Sequence, residues 1–184
     1  DDVILNTLGS GLGLGIVVDG KVILGPQEAH LKIDFDKDAA FHQGFGMKGD
    51  MEAYASSYFI IRRVRELAEQ FKASLPEGDI TPKIAGDWLS RPREDKLARI
   101  AEQVYSEFGQ NLAMLYREIC RVTGIKKWTV VYVGGIAAGR AVETITRGVA
   151  EALKKNPDLN ITIKVGKDAP FSGALGSAYF SIRE

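Results

Sequence analysis

Residues 6–22 read Asn6-Thr7-Leu8-Gly9-Ser10-Gly11-Leu12-Gly13-Leu14-Gly15-Ile16-Val17-Val18-Asp19-Gly20-Lys21-Val22. Glycines 9, 11, 13 and 15 are interleaved with leucines and β-branched residues, and Asp19-Gly20 follows. Asp-Gly between apolar runs is a strong hairpin signal, because both central residues of a type I′ turn need positive φ. The four earlier glycines admit two readings. Lacking Cβ, they let a chain turn tightly and press N–H groups against an anion, with the Ser10 hydroxyl as a further donor. They equally suit a glycine-rich connection between two strands. The stretch is not a Walker loop, since no Gly-Lys-Ser/Thr ending follows. It is not a dinucleotide fingerprint either, since a hairpin and not a helix comes next.

Working outward, Val3–Leu8 and Gly15–Val18 read as buried strands and Val22–Leu24 continues the meander. Leu31–Phe35 alternates apolar and polar residues and predicts another strand. Ala39–Asp50 is a loop with glycines at 44, 46 and 49. The period then becomes helical. Tyr54, Tyr58, Ile61, Val64, Ala68 and Phe71 share one face, and Leu75-Pro76-Glu77-Gly78 ends that helix. A short helix is expected over Pro82–Leu89. A long one runs from Leu97 to Val122, about seven turns, and stops at Gly124. Trp128–Val133 is a buried strand, Arg140–Lys155 a helix, Ile161–Val165 a strand and Ser172–Ile182 a closing helix. A meander, long helices and then β-α-β-α predict an α/β fold, a mixed sheet with helices packed on it.

The 184 residues suffice for one domain with a sizeable core, and 24 basic residues balance 24 acidic ones. That balance favours neither nucleic acid nor an anionic membrane. No run approaches the ~20 apolar residues of a membrane span. The single cysteine, Cys120, falls in an apolar helical pattern and allows no internal disulfide. A cytoplasmic setting fits. The chain begins at Asp1 with a core-like strand from Val3, as expected of one domain from a longer protein.

Three further constellations bear on chemistry. Val130–Val133 runs into Gly134-Gly135, at the carboxyl end of a strand where open α/β sheets hold ligands. A tight strand-to-helix turn has the same glycines. Gln27-Glu28-Ala29-His30 offers a carboxylate and an imidazole for sugar hydroxyls, or a solvated loop. His42-Gln43-Gly44-Phe45-Gly46-Met47-Lys48-Gly49-Asp50-Met51-Glu52 leads into the first long helix, placing Glu52 in its first turn.

In this order and spacing the four motifs resemble the second domain of the ROK family (repressor, open reading frame, kinase), of the actin-like, ribonuclease H-like ATPase superfamily. The family's phosphate motif resembles LGTGIGGGIVIDGK, and residues 8–21 read LGSGLGLGIVVDGK. The Gly46-x-x-Gly49-x-x-Glu52 frame follows the family's cysteine loop, and the resemblance covers nearly the whole chain. It implies the C-terminal ATP- and sugar-binding domain of an ATP-dependent, glucokinase-like sugar kinase. Gly9, Ser10, Gly11 and Gly13 would face the phosphates, Gly134 and Gly135 the adenosine, and Glu28, His30 and Glu52 the sugar. ATP with Mg2+ is the implied cofactor. The implied partners are a monosaccharide, the protein's own N-terminal domain, and a second or further copies in a dimer or tetramer. The catalytic aspartate would lie in that N-terminal domain, so this half alone is expected to be inactive. The alternative is the sugar-sensing effector domain of a ROK repressor; a third is a degenerate domain kept for its interactions. The family's zinc thiolates correspond to Gln43, Phe45 and Asp50, so no structural zinc is expected, and Phe45 and Met47 are expected to pack the loop instead. Gly11→Val is expected to weaken nucleotide binding more than it lowers the melting temperature.

Overall fold

The structure, a computed structural model, describes residues 2–24, 31–42 and 46–167. Five strands form one mixed sheet: β1 (Val3–Leu8), β2 (Leu12–Val18), β3 (Lys21–Leu24), β6 (Lys127–Val133) and β7 (Asn160–Val165), in the order β3-β2-β1-β6-β7. The β1–β2 and β2–β3 pairs are antiparallel, whereas β6 lies parallel to β1 and β7 parallel to β6. Asp19 and Gly20 both take positive φ, 49° and 75°, in the two-residue turn between β2 and β3. A two-residue ladder, β4 (Phe41–His42) with β5 (Met47–Lys48), stands apart. The helices are α1 (Ser57–Phe71), α2 (Pro82–Asp87), α3 (Lys96–Thr123) and α4 (Ala141–Leu153). The architecture is therefore the α/β arrangement expected from the period changes. No helix among the described residues is long and apolar enough to cross a membrane.

Alternation along the strands puts Ile4, Leu8, Leu14, Ile16, Trp128 and Val130 into the core shared with the buried stripe of α3. That face also carries a polar knot. The Tyr116 hydroxyl on α3 donates to Asn6 Oδ1 on β1 at 2.7 Å and lies 3.1 Å from the Tyr132 hydroxyl on β6. All three residues are fully buried, so each polar group needs these partners. Burial pushes both tyrosine pKa values up, which keeps the hydroxyls neutral donors.

Helices α3 and α4 cross through two glycines. A Cβ on Gly109 would meet the Ile145 carbonyl, and one on Gly148 the Ser106 carbonyl. Glycine in a helix interior costs about 1 kcal/mol relative to alanine, so the close crossing, not helix propensity, explains both. The last turn of α3 ends at Gly124, with φ 72° and its amide on the Cys120 carbonyl.

Three expectations are corrected. Leu31–Phe35 is not a strand. Only an isolated bridge, Lys32 to Asp50, forms there, and the Ile33 and Asp34 amides both donate to the Gly49 carbonyl. The segment folds onto a glycine turn and so has no neighbouring strand to pair with. Glu52 does not open the first long helix. It sits in a separate 3-10 turn, Met51–Ala53, capped by Asp50, and α1 starts anew at its own cap, Ser56. Met47 does not pack the loop, being 37% exposed. The loop is tied by hydrogen bonds instead. The Tyr54 hydroxyl donates to Asp34 Oδ2 at 2.6 Å and accepts from the Ala40 amide at 2.8 Å. Burial and the Asp34 bond push the Tyr54 pKa up to about 12, while the same bond holds the Asp34 carboxyl below its usual value. At Gly49, φ is 76° and a Cβ would strike the Asp34 carbonyl, so this turn requires glycine. Phe45 and the expected closing helix over residues 172–182 lie outside the described residues.

Two outcomes follow from this packing. Gly109→Ala gains about 1 kcal/mol of helix propensity but forces α4 away at a cost of ~1–3 kcal/mol; thermal denaturation should show a lower, not higher, melting temperature. Arg63 on α1 donates from Nε to Glu107 Oε2 on α3 at 2.6 Å. Burial pushes the Glu107 carboxyl up, but the bonds from Arg63 and Gln103 outweigh it and hold the pKa below its ordinary 4.5. A carboxyl lowered on folding stabilises above its unfolded pKa, and that contribution is lost as pH falls through the folded value. The melting temperature should therefore drop below about pH 4.5, and Glu107→Gln should flatten that limb.

Candidate functional site

The site lies where β1 and β6 end. Because the two strands are parallel, with Thr7 opposite Val133, their carboxyl ends meet at one edge of the sheet. Each runs straight into a glycine turn: Gly9-Ser10-Gly11 after β1 and Gly134-Gly135 after β6. The turns are joined directly, since the Ile136 amide donates to the Leu8 carbonyl at 3.0 Å. At Gly134, φ is 95° and a Cβ would stand 2.5 Å from that carbonyl, so the fold itself demands glycine there.

The first turn is smaller than the motif suggests. Leu8 pairs with Leu12, so only residues 9–11 form the connection, and Gly13 and Gly15 lie inside β2. The Gly9 amide is satisfied by the Gly11 carbonyl at 3.1 Å. The Leu12 amide donates to Glu52 Oε1 at 2.8 Å. The amides of Ser10 and Gly11 are left without a protein acceptor among the described residues, and the Ser10 side chain is exposed. These groups make the concavity for an anion. Ser57, the first residue of α1, donates from Oγ to the Ser10 carbonyl at 2.8 Å, pinning the turn from outside.

Glu52 is the hub. Asp50 Oδ1 accepts from the Glu52 amide at 2.7 Å, and Ser56 Oγ donates to the Glu52 carbonyl at 2.7 Å. The next residues are held from behind, where Asn111 Nδ2 on α3 donates to the Tyr54 carbonyl at 2.8 Å. The Glu52 carboxylate, thus fixed, reaches the Leu12 amide with one oxygen and faces His42 Nε2 at 3.7 Å with the other. His42 stands edge-on to Tyr58, ring centroids 6.1 Å apart. Donor atoms of His42, Asp50 and Glu52 all lie within 4.8 Å of one another.

Of the residues singled out in the sequence, Gly9, Ser10, Gly11 and Glu52 are brought together, and Gly134 and Gly135 form the adjoining turn. Gln27, Glu28 and His30 lie outside the described residues. The structure adds His42 to this group. Its tie to Glu52 spans ten positions and a glycine turn, and no local spacing announces it. The structure also changes what Gly11 reports. A Cβ there would meet Glu52 Oε1, so any side chain at 11 displaces that carboxylate from the Leu12 amide. Nothing lies within 4 Å of a Cβ built on Gly9 or Gly135, and neither has positive φ. Among the glycines of these two turns, those are the two for which neither backbone conformation nor a neighbouring atom excludes a Cβ.

The ROK family model matches residues 1–184. No curated protein matches the chain in sequence. Among solved structures, a ROK family glucokinase from Streptomyces griseus, in complex with glucose and AMPPNP, superposes with a TM-score of 0.70 at 20% identity. That match covers 100% of this chain and 61% of that one. A ROK hexokinase from Thermus thermophilus gives a TM-score of 0.60 at 20% identity, over 99% of this chain and 58% of that one. A ROK family transcriptional regulator, a homologue of the E. coli MLC protein, gives 0.67 at 20% identity, over 95% and 44%. The chain thus spans about three fifths or less of the length of these neighbours. The match over residues 1–184, on a sheet whose glycine turns stand where the motif order puts them, has one conclusion: the chain belongs to the ROK family.

Proposed function

We propose that this chain is the C-terminal half of an ATP-dependent sugar kinase, binding phosphate and sugar at the joined ends of β1 and β6. The observation that carries the reading is the pair Gly9 and Gly135. Neither backbone conformation nor packing asks for glycine there, whereas a ligand lying against both turns does. The residues fit a nucleotide: two unsatisfied amides and a hydroxyl for phosphate at Ser10 and Gly11, and an open turn at Gly135 for the adenosine. Gly13, inside β2, acts through the strand. Magnesium, when bound with ATP, supplies charge neutralisation on the phosphates.

The chain's own part is positioning. Ser57 and Glu52 fix the Ser10–Leu12 backbone before any ligand arrives, so its donors cost little reorganisation when charge develops. Glu52 holds a sugar hydroxyl beside that turn, with Glu28 and His30 assigned the same task. The proton acceptor comes from the N-terminal domain, and closure of the two domains excludes water from the transfer. A cytoplasmic setting and a dimer or tetramer belong to the same reading.

A regulator that binds sugar without turnover is the second reading. On its side, two of the turn's amides, Gly9 and Leu12, are already satisfied internally.

Two measurements test these statements. With the intact protein, ADP release from Mg-ATP should depend on a sugar drawn from hexoses, N-acetylhexosamines and polyols. Sugar binding without ADP release would establish the regulator, and binding of neither ligand would refute both. In calorimetry, Gly9→Val should weaken a non-hydrolysable ATP analogue about tenfold, ~1.4 kcal/mol, with little change in melting temperature. Gly11→Val should lower both, because it breaks the Leu12–Glu52 bond.

A further inference from the structure

We infer that Tyr116 is a positioning residue for the ligand-facing edge: its hydroxyl clasps β1 to β6 in the register that joins the two glycine turns. The geometry is direct. Asn6 on β1 and Tyr132 on β6 are register partners, and Tyr116 on α3 bonds both, Asn6 Oδ1 at 2.7 Å and the Tyr132 hydroxyl at 3.1 Å. A hydroxyl donates once and accepts twice, so Tyr116 serves the two strands together, donating to Asn6 and accepting from Tyr132. The clasp lies just below the site. Asn6 is two residues before Leu8, whose carbonyl accepts from the Ile136 amide, and Tyr132 is two residues before Gly134. Asn6 Nδ2 also reaches the Gly13 carbonyl at 3.4 Å, which extends the clasp into β2.

Hydrophobic alternation alone leaves that register underdetermined. The core-facing residues of β1 are Ile4, Asn6 and Leu8, and those of β6 are Trp128, Val130 and Tyr132. A slip of one residue turns every core side chain outward, so the pattern forbids it. A slip of two keeps the apolar faces inward and sets Ile4 or Leu8 opposite Tyr132. Apolar groups tolerate that exchange, but the polar ones do not. All three residues of the clasp are fully buried, and a buried hydroxyl or amide that loses its partner has no water to replace it. The same slip carries the Leu8 carbonyl about 7 Å along the strand, out of reach of the Ile136 amide. A polar set in an apolar core thus specifies one alignment, as a single buried Asn does in a coiled coil. The hold on the join stands on this geometry, whereas its consequence for nucleotide binding rests on the sugar-kinase reading.

Hydrogen exchange and calorimetry on the full chain test the assignment. Tyr116→Phe keeps the ring in the core and removes only the hydroxyl. The Ile136 amide should then exchange about fivefold faster relative to the Val149 amide on α4, the scale of one buried hydrogen bond. Affinity for a non-hydrolysable ATP analogue should fall by a similar factor. Glu107→Gln removes a carboxylate from the Arg63 contact between α1 and α3 and touches neither strand. It should move neither the exchange ratio nor the affinity. If Tyr116→Phe does not fold, Tyr132→Phe decides by the same two readouts, since it opens only the β6 half of the clasp. An unchanged ratio of Ile136 to Val149 exchange, or unchanged analogue affinity beside a raised ratio, overturns the assignment. Should the wild-type chain bind no analogue, the sugar-kinase reading fails, and the exchange ratio still decides whether Tyr116 holds the join.

Discussion

The hydrogen bond from the Ile136 amide to the Leu8 carbonyl is the join on which this end of the molecule depends. Parallel pairing of β1 with β6 brings two strand ends level, but it does not bring their exit turns into contact. That requires the chain to leave β6 sharply toward β1, and Gly134 does so at φ 95° with no room for a Cβ. Once the turns touch, Leu8 and Ile136, 128 positions apart in the chain, meet at one concave edge. Helix α4 then starts a few residues on and returns over the sheet, crossing α3 at Gly109 and Gly148. One backbone contact thus sets the geometry of the edge and the direction of the helix that follows.

Around that join, the Gly9–Gly11 turn is held from three sides. The β1–β2 ladder fixes its ends, Ser57 holds the Ser10 carbonyl, and Glu52 holds the Leu12 amide. Beneath it, Asn6 connects Tyr116 on α3 with the hairpin, its Nδ2 reaching the Gly13 carbonyl at 3.4 Å. A short glycine segment would otherwise sample many conformations, and ordering it on ligand binding would cost conformational entropy. Here the surrounding side chains have already restricted it. The carboxylate has a second effect: it places a negative group beside a turn whose remaining donors favour an anion, so two faces of opposite electrostatic preference lie side by side.

What could be read from the sequence divides by range. The strands β1, β3, β6 and β7, the Asp19-Gly20 turn and the limits of α3 follow from period and from glycine, all properties of a few adjacent residues, and they agree with the structure within one position, whereas β2 starts at Leu12, three residues before the expected Gly15. Leu31–Phe35 failed because alternation shows what a strand needs but not whether a neighbour is available. The extent of the Gly9–Gly15 run failed similarly. Glycine spacing cannot tell a loop from a strand, and pairing of Leu8 with Leu12 closes the connection early. In the site, Glu52 was legible through its glycine frame, whereas the roles of Gly11, Ser57 and His42 were not. Each depends on a contact between segments that only the packed tertiary structure brings together.

The manner in which residues 31–50 are tied has a chemical corollary. The described ties in this loop are hydroxyl, carboxylate and amide groups: Tyr54 on Asp34 and Ala40, and Gly49 on Ala40 and Ile33. A loop closed by thiolates comes apart when peroxide or disulfide exchange consumes the sulfur. This chain has one cysteine, Cys120, buried within α3 and with burial pushing its pKa up, so little of it is thiolate. The described ties of the segment that positions Glu52 therefore contain no thiolate for disulfide exchange to consume.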